Sequence, residues 1–275
     1  MPLPMLSVDL SNFASEARPL RPSKIEKFLA CPMSVVLSAW DEDSGGKAAQ
    51  TGNLIHDAAE AYHNAKADRV AAGLTALAAA RQAFPLGDAE KAERIFRLYA
   101  ADPKNSEAVV LHNERQVILH LPCAKDDPTG KPVVIKGTLD QVRLEMVKGA
   151  MLKRVWDIKT GDRLTGEENL LEYAVQQAVY VLAARESLDP EIMPGGLIYT
   201  PGYERNRGSR HIPFRHGVAA CWMIVQPLIH WAAAVRRGEA IFRPSPTNCE
   251  WCEHGPWPKC IQVSKTVCGL TLSGE

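Results

Sequence analysis

At 275 residues, with 46% hydrophobic and 23% charged side chains, the chain can bury one substantial core or at most two small ones, and its composition is that of an ordinary globular protein. Lys plus Arg and Asp plus Glu number 32 each, so the formal net charge is zero; this excludes a globally basic nucleic-acid coat but leaves room for a local basic groove. No apolar run reads as a bilayer span and Met1 to Leu10 lacks a basic region followed by an apolar stretch, so the expectation is a cytoplasmic chain with neither membrane nor secretory signal.

Arg21 to Trp40 opens with Ser23 as a helix N-cap and continues with Ile25, Phe28 and Leu29 on one helical face. Asp41 to Gln50 is polar and contains glycine, which reads as a loop. From Gly52 to about Ala101 the pattern is helical, with an Ala-rich stretch from Val70 to Ala83 and a break at Pro85 to Gly87. The texture then changes. Val109 to Leu121, Pro132 to Glu145 and Ala150 to Lys159 are rich in β-branched residues and separated by short Gly- or Pro-containing links, which predicts an antiparallel meander. Glu167 to Ser187 is expected as an amphipathic helix, Gly195 to Thr200 as a short buried strand, and Gly217 to Arg237 as a further helix. Helices, three strands, helix, strand, helix make an α/β fold with a mixed sheet.

Strand periodicity gives the first chemical clue. In Val155-Trp156-Asp157-Ile158-Lys159, Trp156 and Ile158 point one way and Asp157 and Lys159 the other, with the latter two Cα atoms about 6.6 Å apart. The preceding strand carries Asp140, and a turn near Lys148-Gly149 brings its carboxylate toward that of Asp157. Two close carboxylates repel unless a cation lies between them, and hard divalent ions such as Mg²⁺ or Mn²⁺ prefer oxygen ligands. Such an ion can acidify a water and stabilise charge on a transferring phosphoryl group, while Lys159 steers the attacking water or neutralises the transition state. Asp-x-Lys alone arises about once by chance in a chain of this length. The ordered set around it carries the weight.

Gly137-Thr138-Leu139-Asp140, then Asp157-Ile158-Lys159-Thr160-Gly161, then Gln176 and Tyr180 four residues apart, resembles the PD-(D/E)XK nucleases of the RecB-like group. That group includes the nuclease domains of helicase–nuclease recombination complexes and CRISPR-associated exonucleases. Upstream, Gly52-Asn53-Leu54-Ile55-His56 followed by Glu60 is similar to the group's first motif, so the resemblance spans Ser23 to Cys260. It implies a restriction-endonuclease-like α-β-β-β-α-β core and metal ligands at His56, Asp140, Asp157 and the Ile158 carbonyl. It places Lys159 as the catalytic lysine and puts Gln176 and Tyr180, on one helical face, near the DNA and the active site. Glu114 on the first strand is a secondary candidate, either supporting the metal or simply solvated. The implied activity is Mg²⁺- or Mn²⁺-dependent hydrolysis of DNA, exonucleolytic on single strands or free ends, in recombination, repair or phage DNA processing, with a helicase or recombination protein as partner. The competing reading is a non-catalytic DNA-binding or scaffold subunit of a recombination complex that keeps the fold; an intact Asp140, Asp157 and Lys159 argues against it.

Of seven cysteines, Cys249 and Cys252 are separated by two residues and Cys260 follows after a Gly/Pro-containing loop, with Cys31 as a distant fourth. That spacing fits zinc or an iron–sulfur cluster equally, and either would staple the two ends of the chain. The resemblance implies a structural 4Fe–4S cluster, zinc being the lesser alternative. Among cations near the motifs (Lys24, Lys27, Arg154, Arg163), the densest group is Arg205, Arg207 and Arg210 in a polar loop that either grips phosphates or is merely solvated. One domain is expected over 21–262, with a helical segment at 52–105, the catalytic sheet and helix at 109–200, and a cluster region at 245–262 with Cys31; 1–20 and 263–275 are expected as flexible tails.

Overall fold

Proline suits the first turn of a helix, where its missing N–H costs nothing, and the first helix of the computed structural model, α1 (Pro22–Ala30), begins on one. Ser23, expected as the cap, therefore sits inside that first turn. The structure describes residues 10–31, 35, 46–161, 170–202 and 208–239. Residues 10–20, expected as part of a tail, are tied to the core. Phe13 and Ala14 are buried, Leu20 bridges to Ile135, and the buried Arg236 guanidinium donates to the carbonyls of Phe13, Ala14 and Pro132 and pairs with Asp127 at 2.6 Å.

The long helical region resolves into α2 (Lys47–Asn64), α3 (Arg69–Ala80), α4 (Ala89–Ala101) and the single turn α5 (Pro103–Ser106). Asp68, Asp88 and Asp102 cap the last three by accepting a backbone N–H, which is why the chain breaks there rather than running on. The predicted meander is β1 (Val109–Leu121), β2 (Val133–Val147) and β3 (Ala150–Gly161). Lys148 and Gly149, at φ +50° and +83°, give the two positive φ values that a tight two-residue hairpin demands. The helix α6 (Leu170–Ser187) then crosses over to β4 (Met193–Pro201), and a short strand missed in the sequence, β5 (Arg210–Pro213), precedes α7 (Val218–Arg236).

The five strands form one sheet in the order β1-β2-β3-β4-β5. The β3–β4 pair is parallel and the others antiparallel, so the sheet is mixed and the fold restriction-endonuclease-like, as expected. Both faces are covered. On one, Leu54, Ile55, Phe96 and Tyr99 pack against Trp156, Ile158 and Ile198. On the other, Phe28, Val179, Leu182 and Val225 pack against Val117, Leu119, Ile135 and Val155.

This three-layer arrangement corrects two expectations. The helix α6 is not amphipathic: residues 177–184 are all buried, because it lies between the sheet and the pair α1 and α7. The helix α7 is long and apolar enough, by length and composition, to cross a membrane, contrary to the reading of the bare sequence. Here Cys221, Val225, Leu228 and Ala232 bury one face of it against the core, while Trp222 and Met223 on the other are exposed.

Candidate active site

The site forms where the β2–β3 ladder ends. Pairing runs from Val147 and Ala150 to Gln141 and Trp156, after which β3 continues along β4, Asp157 lying level with Leu197. In the gap so opened, the Ile158 amide donates to Asp140 Oδ2. A splayed pair of strands thus holds a carboxylate in place through the chain itself. Across β1, Asn113–Gln141 and Arg115–Leu139 pair on either side of Glu114, whose φ of +44° is left-handed. A glutamate in that conformation costs about 1–2 kcal/mol, tolerated because the flanking ladder imposes it.

The kink brings Glu114 to the metal-ligating group. Its Oε1 is 2.9 Å from His56 Nδ1, and Asp140 Oδ1 is 3.5 Å from the same nitrogen. One ligand atom from each of His56, Glu114 and Asp140 lies within 4.8 Å of the others. Lys159 Nζ is 2.9 Å from Asp157 Oδ2 and 5.5 Å from the centre of the Tyr173 ring on α6. One helical turn on, Gln176 Nε2 donates to the Tyr180 hydroxyl at 3.4 Å.

Electrostatics shows what this cluster lacks. Burial pushes the Asp157 carboxyl up to about 6, with Asp140 adding to the rise and Lys159 opposing it. Asp140 is raised as well, by burial first and then by Glu114. Burial works against a charged His56, yet Asp140 and Glu114 outweigh it and raise the imidazole to about 9. Burial likewise opposes the Lys159 ammonium, but Asp157 and Asp140 hold its pKa above the usual value. Asp157 Oδ2 is fully enclosed, with the Lys159 ammonium 2.9 Å away. Three carboxylates and an imidazole, with both Asp140 and Asp157 buried, form an oxygen-rich donor set of the kind a hard divalent cation satisfies.

The expected residues fall as follows. His56 and Asp140 come together with Glu114, the secondary candidate; Asp157 and Lys159 stand beside them, and Gln176 and Tyr180 overlook them from α6. The Ile158 amide holds Asp140 while its side chain is buried on the opposite face with Trp156. Asp157 lies on the face opposite Trp156, as expected, and is only 1% exposed, since α6 covers that side. Arg154 is removed from the set of DNA-facing cations: its guanidinium is taken up by Glu145 and the carbonyls of Pro194 and Gly195. Arg210 is exposed at the start of β5 rather than in a loop. Cys31 packs partly buried against the larger core, whereas Cys249, Cys252, Cys260, Arg163, Arg205 and Arg207 lie outside the described residues. Tyr173 was missed, although its position three residues before Gln176 on the same helix marks the shared face.

A mixed sheet clasped by helices, opened at one ladder end where carboxylates, a histidine and a lysine converge, defines a metal-dependent nuclease fold. Residues 19–257 match the PD-(D/E)XK nuclease superfamily, and the chain belongs to it. Its members use divalent metals, and DNA is the substrate that this membership implies. A solved structure from Eubacterium rectale, named as a candidate exonuclease, is similar over 92% of this chain and 92% of its own, with a TM-score of 0.56 and 14% identity. That likeness is one of fold. No curated protein matches the sequence.

Proposed function

We propose that this protein is a Mg²⁺- or Mn²⁺-dependent deoxyribonuclease acting exonucleolytically on single-stranded or frayed ends in recombination, repair or phage DNA processing. The reading rests on one observation above all: Asp140, pinned by the Ile158 amide, shares a buried pocket with His56, Glu114, Asp157 and the Lys159 ammonium. His56, Glu114, Asp140 and Asp157 would hold the cation. When bound there, the ion supplies Lewis acidity toward a phosphoryl oxygen and an attacking water. Lys159, charged and steadied between Asp157 and the Tyr173 ring, neutralises the charge that develops on the phosphorane oxygens or orients the nucleophile. Tyr180, raised well above its ordinary pKa by burial and by Asp157 and Asp140, stays a hydroxyl and can donate to the substrate. The relative named as a candidate exonuclease agrees with action from ends.

The cysteine spacing supports a structural 4Fe–4S cluster on Cys31, Cys249, Cys252 and Cys260, with zinc as the alternative. Iron and acid-labile sulfide in purified protein support the cluster; zinc without iron rejects it.

The activity is tested by incubating end-labelled linear DNA and circular DNA with Mg²⁺, Mn²⁺ or EDTA. Loss of label from linear single strands, sparing of circles and inhibition by EDTA are expected, and Asp157→Ala or Lys159→Ala should abolish cleavage. Undiminished metal-dependent cleavage in both variants overturns the site assignment, and cleavage of circles overturns the exonuclease reading.

A further inference from the structure

Beside the metal-ligating cluster, α6 and the strands β4 and β5 line a half-open cavity of about 230 Å³, bordered in part by Tyr173, Gln177, Leu197, Phe214, Arg215 and His216. Gln177 is 1% exposed, and neither its Oε1 nor its Nε2 has a hydrogen-bond partner. Native interiors rarely keep a carboxamide with both ends unmet unless something absent from the folded chain meets them. The cavity is also placed with respect to the chemistry. Leu197 lies level with Asp157 across the parallel β3–β4 ladder, and the Tyr173 ring that lines the cavity is the ring beneath the Lys159 ammonium.

Size, polarity and position select the occupant. The volume exceeds the roughly 150 Å³ that accommodates benzene and falls short of the roughly 300 Å³ at which pockets for whole drug-sized molecules begin. It suits one planar heterocycle. A glutamine side chain presents one donor and one acceptor to the edge of such a ring, as it does when it reads adenine. The aromatic rings of Tyr173 and Phe214 offer stacking faces, and the exposed Arg215 marks a cationic side toward a sugar-phosphate backbone.

We propose that this cavity takes the unpaired nucleobase of the nucleotide adjoining the scissile phosphate, with its edge on Gln177. The inference rests on the nuclease reading and deepens it. A base can enter only after leaving the stack, so the cavity favours single-stranded or frayed DNA over intact duplex.

Single-strand oligonucleotides carrying one abasic position, stepped past the cleaved bond, provide the test. In the wild-type protein with Mn²⁺, removing the base at one position next to that bond should slow single-turnover cleavage roughly ten- to hundredfold, the scale of one stacked base. In Gln177→Met, intact DNA should be cut more slowly and the same base removal should cost much less, because edge recognition is already gone. The variant's melting temperature should equal or exceed the wild-type value, since an unmet buried amide has been removed. Equal rates at every abasic position in the wild type overturn the proposal, as does an undiminished abasic penalty in Gln177→Met. If intact strands are cut yet no position is sensitive, the cavity assignment fails and the nuclease reading stands. If no DNA is cut, the nuclease reading fails, and binding of the same oligonucleotides by anisotropy decides the cavity: one base-dependent step in Kd, lost in Gln177→Met, supports it, and its absence refutes it.

Discussion

Replacing Asp157 with Asn should make the metal-free protein more stable while destroying its activity. The carboxyl is 1% exposed and its pKa is raised from 3.8 to about 6, burial being the main cause. A folded pKa above the unfolded one means that the unfolded chain holds fewer protons between those values, so stability falls as pH rises through this window. A shift of about two units corresponds to a penalty of about 3 kcal/mol, fully present above pH 6 and roughly half as large at pH 5. Asn has the shape of the protonated acid and no charge to desolvate, and the attraction of Lys159 is already contained in that shifted value. At pH 8 in EDTA, Asp157→Asn should therefore melt several degrees above the wild type, at about 2–4 °C per kcal/mol for a chain of this size. The gap should narrow at pH 5. His56 runs in the same direction with pH, but as a gain that is lost: its pKa of about 9 gives stability that is complete below pH 6.5 and lost as pH rises through 9, and it does so in both proteins. Differential scanning calorimetry at the two pH values, with and without Mn²⁺, reads all of this, the cation stabilising only the wild type. A variant less stable than the wild type at pH 8, or a gap independent of pH, would refute the argument that Asp157 is a carboxylate awaiting a cation.

Because His56 carries a proton near neutrality in the metal-free state, Mn²⁺ binding at pH 7 should release close to one proton, measurable by calorimetry in buffers of different ionisation enthalpy; no buffer dependence would exclude His56 as a ligand. Glu114→Gln should raise the Mn²⁺ concentration for half-maximal cleavage by roughly 10–100-fold, since the His56 contact at 2.9 Å loses its charge; an unchanged metal titration would return Glu114 to the solvated class. Lys159→Met should lower the cleavage rate by about 10²–10³ while leaving Mn²⁺ binding in place, because the ammonium acts on developing charge rather than on the ion; lost metal binding would assign it a structural role instead. Gly137→Ala places a methyl 2.6 Å from the Pro22 ring and 3.7 Å from Tyr180, so a loss of about 1–3 kcal/mol is expected by denaturant titration, and an unchanged midpoint would show that α1 moves freely there.

Part of this site was legible in the sequence for a geometric reason. A two-residue turn at Lys148 and Gly149 sets Val147 opposite Ala150, and counting back along both strands brings Asp140 level with Asp157. Alternation then puts Lys159 on the same face as Asp157. What escaped is what depends on backbone conformation and on the third layer. Nothing in His112-Asn113-Glu114-Arg115 announces a left-handed φ, yet without it Glu114 would not reach His56. Alternation in β3 placed Asp157 opposite Trp156 without saying what covers it; the missed signal was the run Ala178-Val179-Tyr180-Val181-Leu182-Ala183-Ala184, apolar nearly all round, as in a helix covered on every side. The adjacent Gln176 and Gln177 show the limit most clearly. They are separated by about 100° of helical rotation, and only the packing of α6 decides that Gln176 turns to Tyr180 while Gln177 is sealed without a partner. The same layer that buries Asp157, raises its pKa and thereby creates the demand for a cation also buries an amide that demands a ligand. Both costs fall on the free protein and both would be relieved by the metal and base proposed above, so the sites that weaken the fold are the ones proposed to bind.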